Sequence, residues 1–163
     1  MNPAIQFSHN QASHQAIAAH LRQCDAAFVP SLSSRLNIDD YASKIISRAQ
    51  RFEASASAEH ELAGLVAMYC NDDSNDGCKD TQHGRAFITN VSVLPTWQQQ
   101  GIARALLKQA LHYAKHCGCM QVELEVNTNN PTAIALYEKI GFVQHAKANM
   151  NTADNMVMRH IFS

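Results

Sequence analysis

Ile88-Thr89-Asn90-Val91-Ser92-Val93-Leu94-Pro95-Thr96-Trp97-Gln98-Gln99-Gln100-Gly101-Ile102-Ala103-Arg104 is the stretch on which the fold turns. Its first residues continue a strand that starts at Ala86, with Phe87, Thr89, Val91 and Val93 on one face. Leu94-Pro95-Thr96-Trp97 breaks that period. From Gly101 to Cys117 the residues Ala103, Leu106, Leu107, Ala110, Leu111 and Ala114 then recur at helical spacing, with Gly118 as C-cap. A strand feeding a helix through this turn leaves several N–H groups without intrahelical partners at the positive end of the helix dipole. A phosphate fits there, with Gly101 admitting a close backbone approach and small Ala103 keeping the next turn clear. An ordinary strand-to-helix turn containing a glycine reads the same way.

Working outward, Met120 to Val126 is a strand with Val122, Leu124 and Val126 on one face and Glu123 and Glu125 on the other. Asn130-Pro131 has the form of an N-cap followed by proline at the first helical position, and that helix stops at Gly141. Phe142 to Lys147 and Met156 to Phe162 supply the last two strands. Upstream, Ala4 to Phe7 is a short strand. Ser8 or Asn10 caps a helix bearing Ala16, Ile17, Leu21 and Cys24, and Ile38, Tyr41, Ala42, Ile45, Ile46 and Ala49 mark a second helix. Arg51 to Ser57 and Leu62 to Cys70 form a hairpin around 58–61. The order β-α-α-β-β-β-α-β-α-β-β predicts an α/β (α+β) fold, with a mixed, mostly antiparallel sheet of six to seven strands and helices on both faces. The breaker-rich run from Asn71 to Gly84 is one long loop.

The chain has 163 residues, enough for a single domain over 1–163, and its 46% hydrophobic content argues against general disorder. Thirteen basic against fourteen acidic side chains argue against a nucleic-acid or membrane-surface partner. There is no signal-peptide pattern and no apolar run of membrane-spanning length, so the expectation is a cytoplasmic protein with reduced cysteines. Exposed strand edges allow a monomer or a homodimer.

Two motifs, Gln98-x-x-Gly101-x-Ala103 and Asn130-x-x-Ala133-x-x-Leu136-Tyr137-x-x-x-Gly141-Phe142, resemble those of the GNAT superfamily of N-acetyltransferases, best over residues 86–145. The resemblance implies acetyl-CoA as cofactor, held where the strands from Ala86 and from Met120 splay apart. Backbone groups of Val91, Ser92 and Val93 would pair with its pantetheine arm. Gln98, Gln99, Gln100, Gly101, Ile102, Ala103 and Arg104 would hold its pyrophosphate, and Asn130 would contact the arm near the thioester. Ala103 stands where many members have a second glycine. Three glutamines replace basic residues frequent in this loop, so binding must rest on backbone dipoles and Arg104.

Acyl transfer to an amine needs a base for the amine, a donor for the thioester oxygen and an acid for the leaving thiolate. The resemblance makes Tyr137 the acid. A phenol of ordinary pKa ~10 can donate to a thiolate of ~8.5. The plainer reading is a core tyrosine on the stripe of Ala133 and Ile140. Glu125 is the candidate base, in a Leu-Glu-Val context shared with bacterial ribosomal-protein alanine acetyltransferases, where that glutamate serves so. A solvated carboxylate, with water carrying the proton, is its rival. Many relatives have a base on the preceding strand, where this chain has only Thr89 and Asn90. The oxyanion donor would be a backbone N–H near Val93, if the strand bulges there.

The resulting expectation is direct acetyl transfer to a primary amine, the acceptor being a small molecule such as an amino sugar or a polyamine. A protein N-terminus, or a non-catalytic acyl-CoA-binding module, is the alternative. Tyr69, His83 and the segment from Phe28 to Arg35 are candidates for the acceptor side. No metal site is expected. The run from Asp72 begins like a calcium loop but has His83 at the twelfth position, and His116-Cys117-Gly118-Cys119 with Cys70 or Cys78 matches no zinc spacing. His9, His14, His20, His60, His112 and His145 follow no pattern and most belong on the surface.

Overall fold

Apolar side chains at strand and helix periods must find each other across layers. They do so in a computed structural model of the chain, which describes residues 5–56, 61–70, 84–149 and 152–162. The elements are β1 (Ile5–His9), α1 (His14–Cys24), α2 (Ile38–Arg48), β2 (Gln50–Ala56), β3 (Glu61–Cys70), β4 (Arg85–Val93), α3 (Ile102–His116), β5 (Gln121–Asn127), α4 (Pro131–Ile140), β6 (Val143–Asn149) and β7 (Thr152–Ile161). They form one seven-stranded sheet in the order β1-β2-β3-β4-β5-β7-β6. Only β4 and β5 pair in parallel; every other neighbouring pair is antiparallel. This is the mixed, mostly antiparallel architecture expected, in the expected order. The expected turn at 58–61 and the long loop lie almost wholly outside the described residues.

Each sheet face carries its own core. Phe52, Val66, Met68, Ile88 and Leu124 pack with Leu106, Leu107 and Ala110 of α3 and Tyr137 of α4. On the opposite face Leu62, Leu65 and Ala67 pack with Ile17 and Leu21 of α1 and Ala42 and Ile45 of α2. The first core closes tightly at Gly64. A Cβ there would stand 2.7 Å from Ile102 Cγ2 and 3.1 Å from Leu106 Cδ1. Ile102 is the first residue of α3, so Gly64→Ala must push that helix outward. Such overpacking is expected to cost about 1–3 kcal/mol, read as a lower denaturant midpoint at unchanged m-value.

The structure refines the expectations at several points along the chain. α1 is capped by Ser13, whose side chain accepts from the Ala16 N–H at 3.1 Å, and not by Ser8 or Asn10. Ser8 is still in β1, and Asn10 turns the chain at φ 59° while its side chain accepts from the Arg51 N–H at 2.7 Å. His20 is only 1% exposed, so it belongs to the interior. The last strand is longer than expected, beginning at Thr152 rather than Met156. Phe142 is 1% exposed and fills the core just after Gly141, so β6 begins one residue later, at Val143.

Candidate active site

Four residues of β4, Arg85 to Ile88, pair with Gln121 to Leu124 of β5, and there the parallel ladder stops. Thr89 to Val93 and Glu125 to Asn127 continue as strands without pairing to each other, which opens a gap in the sheet. The cause is visible on β3. Met68 opposes Ile88 and Ala67 opposes Asn90, so Thr89 is an extra residue. A bulge of this kind bends its strand and increases its twist. Its carbonyl is not left orphaned, because the Tyr41 hydroxyl of α2 donates to it at 2.8 Å. Burial pushes the Tyr41 phenol up to about 12, so that proton stays in place. The irregularity is therefore at Thr89, while Val93, where a bulge was only a condition on the oxyanion donor, stays in register opposite Gly64.

The bulge also exchanges the faces of β4. Ala86 and Ile88 join the α3 core before it, while Val91 and Val93 pack against that core after it. The backbone direction beyond the bulge follows from one bond. The Leu94 N–H donates to the Ala63 carbonyl at 2.8 Å, so Leu94 faces β3. By antiparallel alternation Ser92 and Asn90 also address β3, and Val91 and Val93 turn their N–H and C=O groups toward the gap. Of the three strand residues expected to offer main chain there, Val91 and Val93 face the gap, whereas Ser92 faces β3 opposite Leu65. Ser92 is bonded elsewhere, its hydroxyl lying 2.7 Å from His20 Nε2 and accepting from Asn90 Nδ2 at 2.8 Å.

The turn after β4 leads to the N-terminus of α3. Gly101 occupies the cap position at φ 80°, where its missing Cβ matters for conformation rather than space: nothing lies within 4 Å of where one would be. Ser13, Asn37 and Asn130 cap α1, α2 and α4 with side-chain oxygens, but α3 has no side-chain cap and no acidic residue in its first turn. Its leading N–H groups, from Ile102 to Arg104, are thus available to an anion. Gln98, Gln99, Gln100 and Arg104 are exposed, Ala103 is half-buried and the Ile102 side chain is core. Gln98 has a second task, since its Nε2 donates to the Val93 carbonyl at 3.2 Å and ties the turn to the strand end.

Beyond β5, Asn130 caps α4 and Tyr137 lies on it. Asn130 Oδ1 accepts from the Ala133 N–H at 3.3 Å, so only its amide nitrogen can serve a ligand as donor. Tyr137 is buried in the α3-side core, edge-on to Phe142 at 5.9 Å between ring centroids. Burial pushes its phenol up to about 12. Glu125 is exposed on the opposite face of β5 from Leu124 and Val126, hence opposite Tyr137. Its neighbour Glu123 is committed to Arg159 at 3.0 Å, which leaves Glu125 the carboxylate of β5 open to solvent on that side. Thr89 and Asn90 carry no basic group, and their side chains are hydrogen-bonded to Tyr41, Ser92 and Leu65.

Of the candidates for the acceptor side, Tyr69 is half-buried against the α1 and α2 core, and its hydroxyl has no hydrogen-bond partner among the described residues. The connection from α1 to α2 is tied by Asp25, which accepts from the Ser33 N–H at 2.7 Å and the Ser33 hydroxyl at 2.6 Å. His83, Cys78 and the calcium-like run lie outside the described residues. Among those described, no cluster of three or more His, Cys, Asp or Glu could hold a metal, and no helix is long and apolar enough to cross a membrane. Sequence reasoning missed Tyr41 and the His20–Ser92–Asn90 set. Asn90 and Ser92, two polar residues sharing one face of an apolar strand, were the signal that a buried polar partner existed.

Residues 15–142 match the acetyltransferase (GNAT) family. The [ribosomal protein bS18]-alanine N-acetyltransferase of Escherichia coli K12 is 42% identical over 57 residues, 35% of this chain and 38% of that protein. The alignment thus spans well under half the length of that curated relative. Among solved structures, the ribosomal-protein-S18-alanine N-acetyltransferase of Escherichia coli superposes with a TM-score of 0.70 at 22% identity, over 98% of this chain and 95% of that one. A spermidine N-acetyltransferase SpeG chimera of Vibrio cholerae and hSSAT gives 0.69 at 20% identity, over 96% and 95%. A streptothricin acetyltransferase of Bacillus anthracis, in complex with acetyl coenzyme A, gives 0.57 at 20% over 71% and 64%. With the divided sheet and the uncapped helix at its edge, the match across 15–142 means that the chain belongs to the acetyltransferase (GNAT) family.

Proposed function

We propose that the protein is an acetyl-CoA-dependent N-acetyltransferase that moves an acetyl group directly to a primary amine. The observation that carries this is the opening of β4 from β5 after Ile88 and Leu124, flanked by the uncapped N-terminus of α3. The donor set fits the cofactor: main-chain groups of Val91 and Val93 suit an amide-bearing arm, and a turn of N–H groups with Arg104 and no carboxylate suits a diphosphate. The bound cofactor would supply an electrophilic thioester carbonyl and a thiol leaving group.

The chain's own residues have separable tasks. Gln98 to Arg104 bind the diphosphate, and Asn130 orients the arm through its amide nitrogen. The Val91 and Val93 backbone fixes depth in the gap. Tyr137 Oη holds a proton across the working pH range and is the acid for the departing sulfur. Glu125 takes the acceptor's proton, directly or through one water, from the α1 and α2 side. Acid and base thus address the gap from opposite faces of β5, so the two reacting partners need not enter by the same route.

A small amine such as an amino sugar or polyamine is our favoured acceptor. A protein N-terminus is the second reading, favoured by the 42% likeness to the ribosomal-protein alanine acetyltransferase over 57 residues. Thiol release from acetyl-CoA, measured against a panel of polyamines, amino sugars and alanine-started peptides, separates them. Saturable CoA binding with no release from any amine would leave a binding module. With the best acceptor, Glu125→Gln should lower kcat on the order of 10–10²-fold at neutral pH. The loss should shrink at pH 9, where more of the amine is already deprotonated. A Gln variant as fast as wild type at pH 7 assigns the proton to water alone.

A further inference from the structure

Behind the part of β4 that faces the gap runs a directional chain of buried hydrogen bonds that the proposed chemistry does not use. His20 Nδ1 lies 2.7 Å from the Leu62 carbonyl, which can only accept, so Nδ1 carries the proton. Nε2 is then the acceptor, and the Ser92 hydroxyl, 2.7 Å away, must donate to it. That leaves the Ser92 oxygen free to accept from Asn90 Nδ2 at 2.8 Å, and Asn90 Nδ2 also reaches the Leu65 carbonyl at 3.3 Å. His20, Asn90 and Ser92 are all buried, and Cys24 Sγ sits 3.7 Å from the same Nε2. Burial holds the imidazole neutral, its pKa pulled down to about 4, so the order of donors does not reverse near neutrality.

The placement is what gives the chain a use. Asn90 and Ser92 flank Val91, and Ser92 separates Val91 from Val93, the two residues whose backbone groups face the gap. Past Ile88 this stretch has lost β5 and keeps only β3 as a sheet neighbour. A strand edge with one neighbour, just after a bulge, rocks unless something fixes its peptide planes. The alternating residues that point backward are the ones that can do so. We infer that His20 is a positioning residue, which through Ser92 holds the Val91 and Val93 peptide groups at the angle the cofactor arm requires. α1, on the acceptor side of the sheet, is thereby tied to the cofactor edge. This rests on the acetyl-CoA reading of the gap, and it concerns alignment rather than chemistry.

Two substitutions divide the chain. His20→Asn puts an amide nitrogen where Nδ1 stands and keeps the Leu62 bond while losing Ser92. His20→Gln puts an amide oxygen where Nε2 stands and keeps Ser92 while losing Leu62. CoA affinity by calorimetry should weaken on the order of tenfold in His20→Asn, about one buried hydrogen bond's worth, and stay within about twofold in His20→Gln. In ligand-free protein the Leu94 amide should exchange on the order of tenfold faster in His20→Asn alone. Equal weakening in both variants would mean a general packing role and overturns the inference, as does an unchanged affinity in His20→Asn. Wild-type protein that takes no CoA would end the acetyltransferase reading instead, and Leu94 exchange unchanged in His20→Asn would sink the positioning role whatever CoA does.

Discussion

Tyr137→Phe is expected to lower turnover roughly 10²–10⁴-fold while leaving CoA affinity within about twofold, the pattern for loss of a general acid. The separation follows from where the residue sits. Its ring is buried in the α3-side core and meets Phe142 edge-on, contacts that phenylalanine repeats. Only the hydroxyl is lost, so the variant should fold and melt near wild type. The phenol is pushed up to about 12 and cannot ionise below pH 10 to any useful extent. The alkaline limb of the pH–rate profile should therefore belong to another group and persist in the variant. Single-turnover rates with saturating acetyl-CoA are the measurement. Rates within tenfold of wild type would remove Tyr137 from the acid role.

The largest expected loss of stability lies at a residue remote from the gap. Glu53 on β2 is fully buried, yet its carboxylate accepts from the Ser8 hydroxyl at 2.8 Å and from the Gln11 and Ala12 N–H groups, each at 2.9 Å. The Arg51 guanidinium, itself 8% exposed, stands 3.4 Å away. One side chain thus supports β1, the turn after it and the approach to α1. Glu53→Ala leaves a buried cation and several donors without their acceptor, and should cost about 3–5 kcal/mol. In a domain of this length that lowers Tm by about 6–20 °C. Glu53→Gln keeps one acceptor oxygen and should lose less. A cost below 1 kcal/mol for Glu53→Ala would mean that water replaces the carboxylate freely.

Legibility in the sequence varied along the chain for physical reasons. The α3 stripe, the Asn130-Pro131 start and the Gly141 stop of α4 are local signals, and each element formed where its own residues placed it. The start of α1 was not local. Ser8, Asn10 and Ser13 can all cap a helix, and the choice went to Ser13 because β1 pairs with β2 as far as His9. The bulge at Thr89 is a relation between two strands and has no residue signature of its own, so the exchange of faces in β4 could not be read from alternation. His20 looked like one scattered histidine among nine until α1 was folded onto Asn90 and Ser92. A diphosphate or an amide-bearing arm is met mainly by backbone, which a short local motif can record. An acceptor is met by side chains gathered from several elements, and no linear spacing records that.

The short β4–β5 ladder has a mechanical side. Four residue pairs join a four-strand plate, β1 to β4, to a three-strand plate of β5, β7 and β6, whereas β5 and β7 share seven. The buried cluster under α3 spans both plates, taking in Val66 and Ile88 on one and Leu124 and Met158 on the other, so side-chain packing as well as the short ladder joins them. A molecule lying in the crevice would meet both plates and add a further bridge where the ladder is missing.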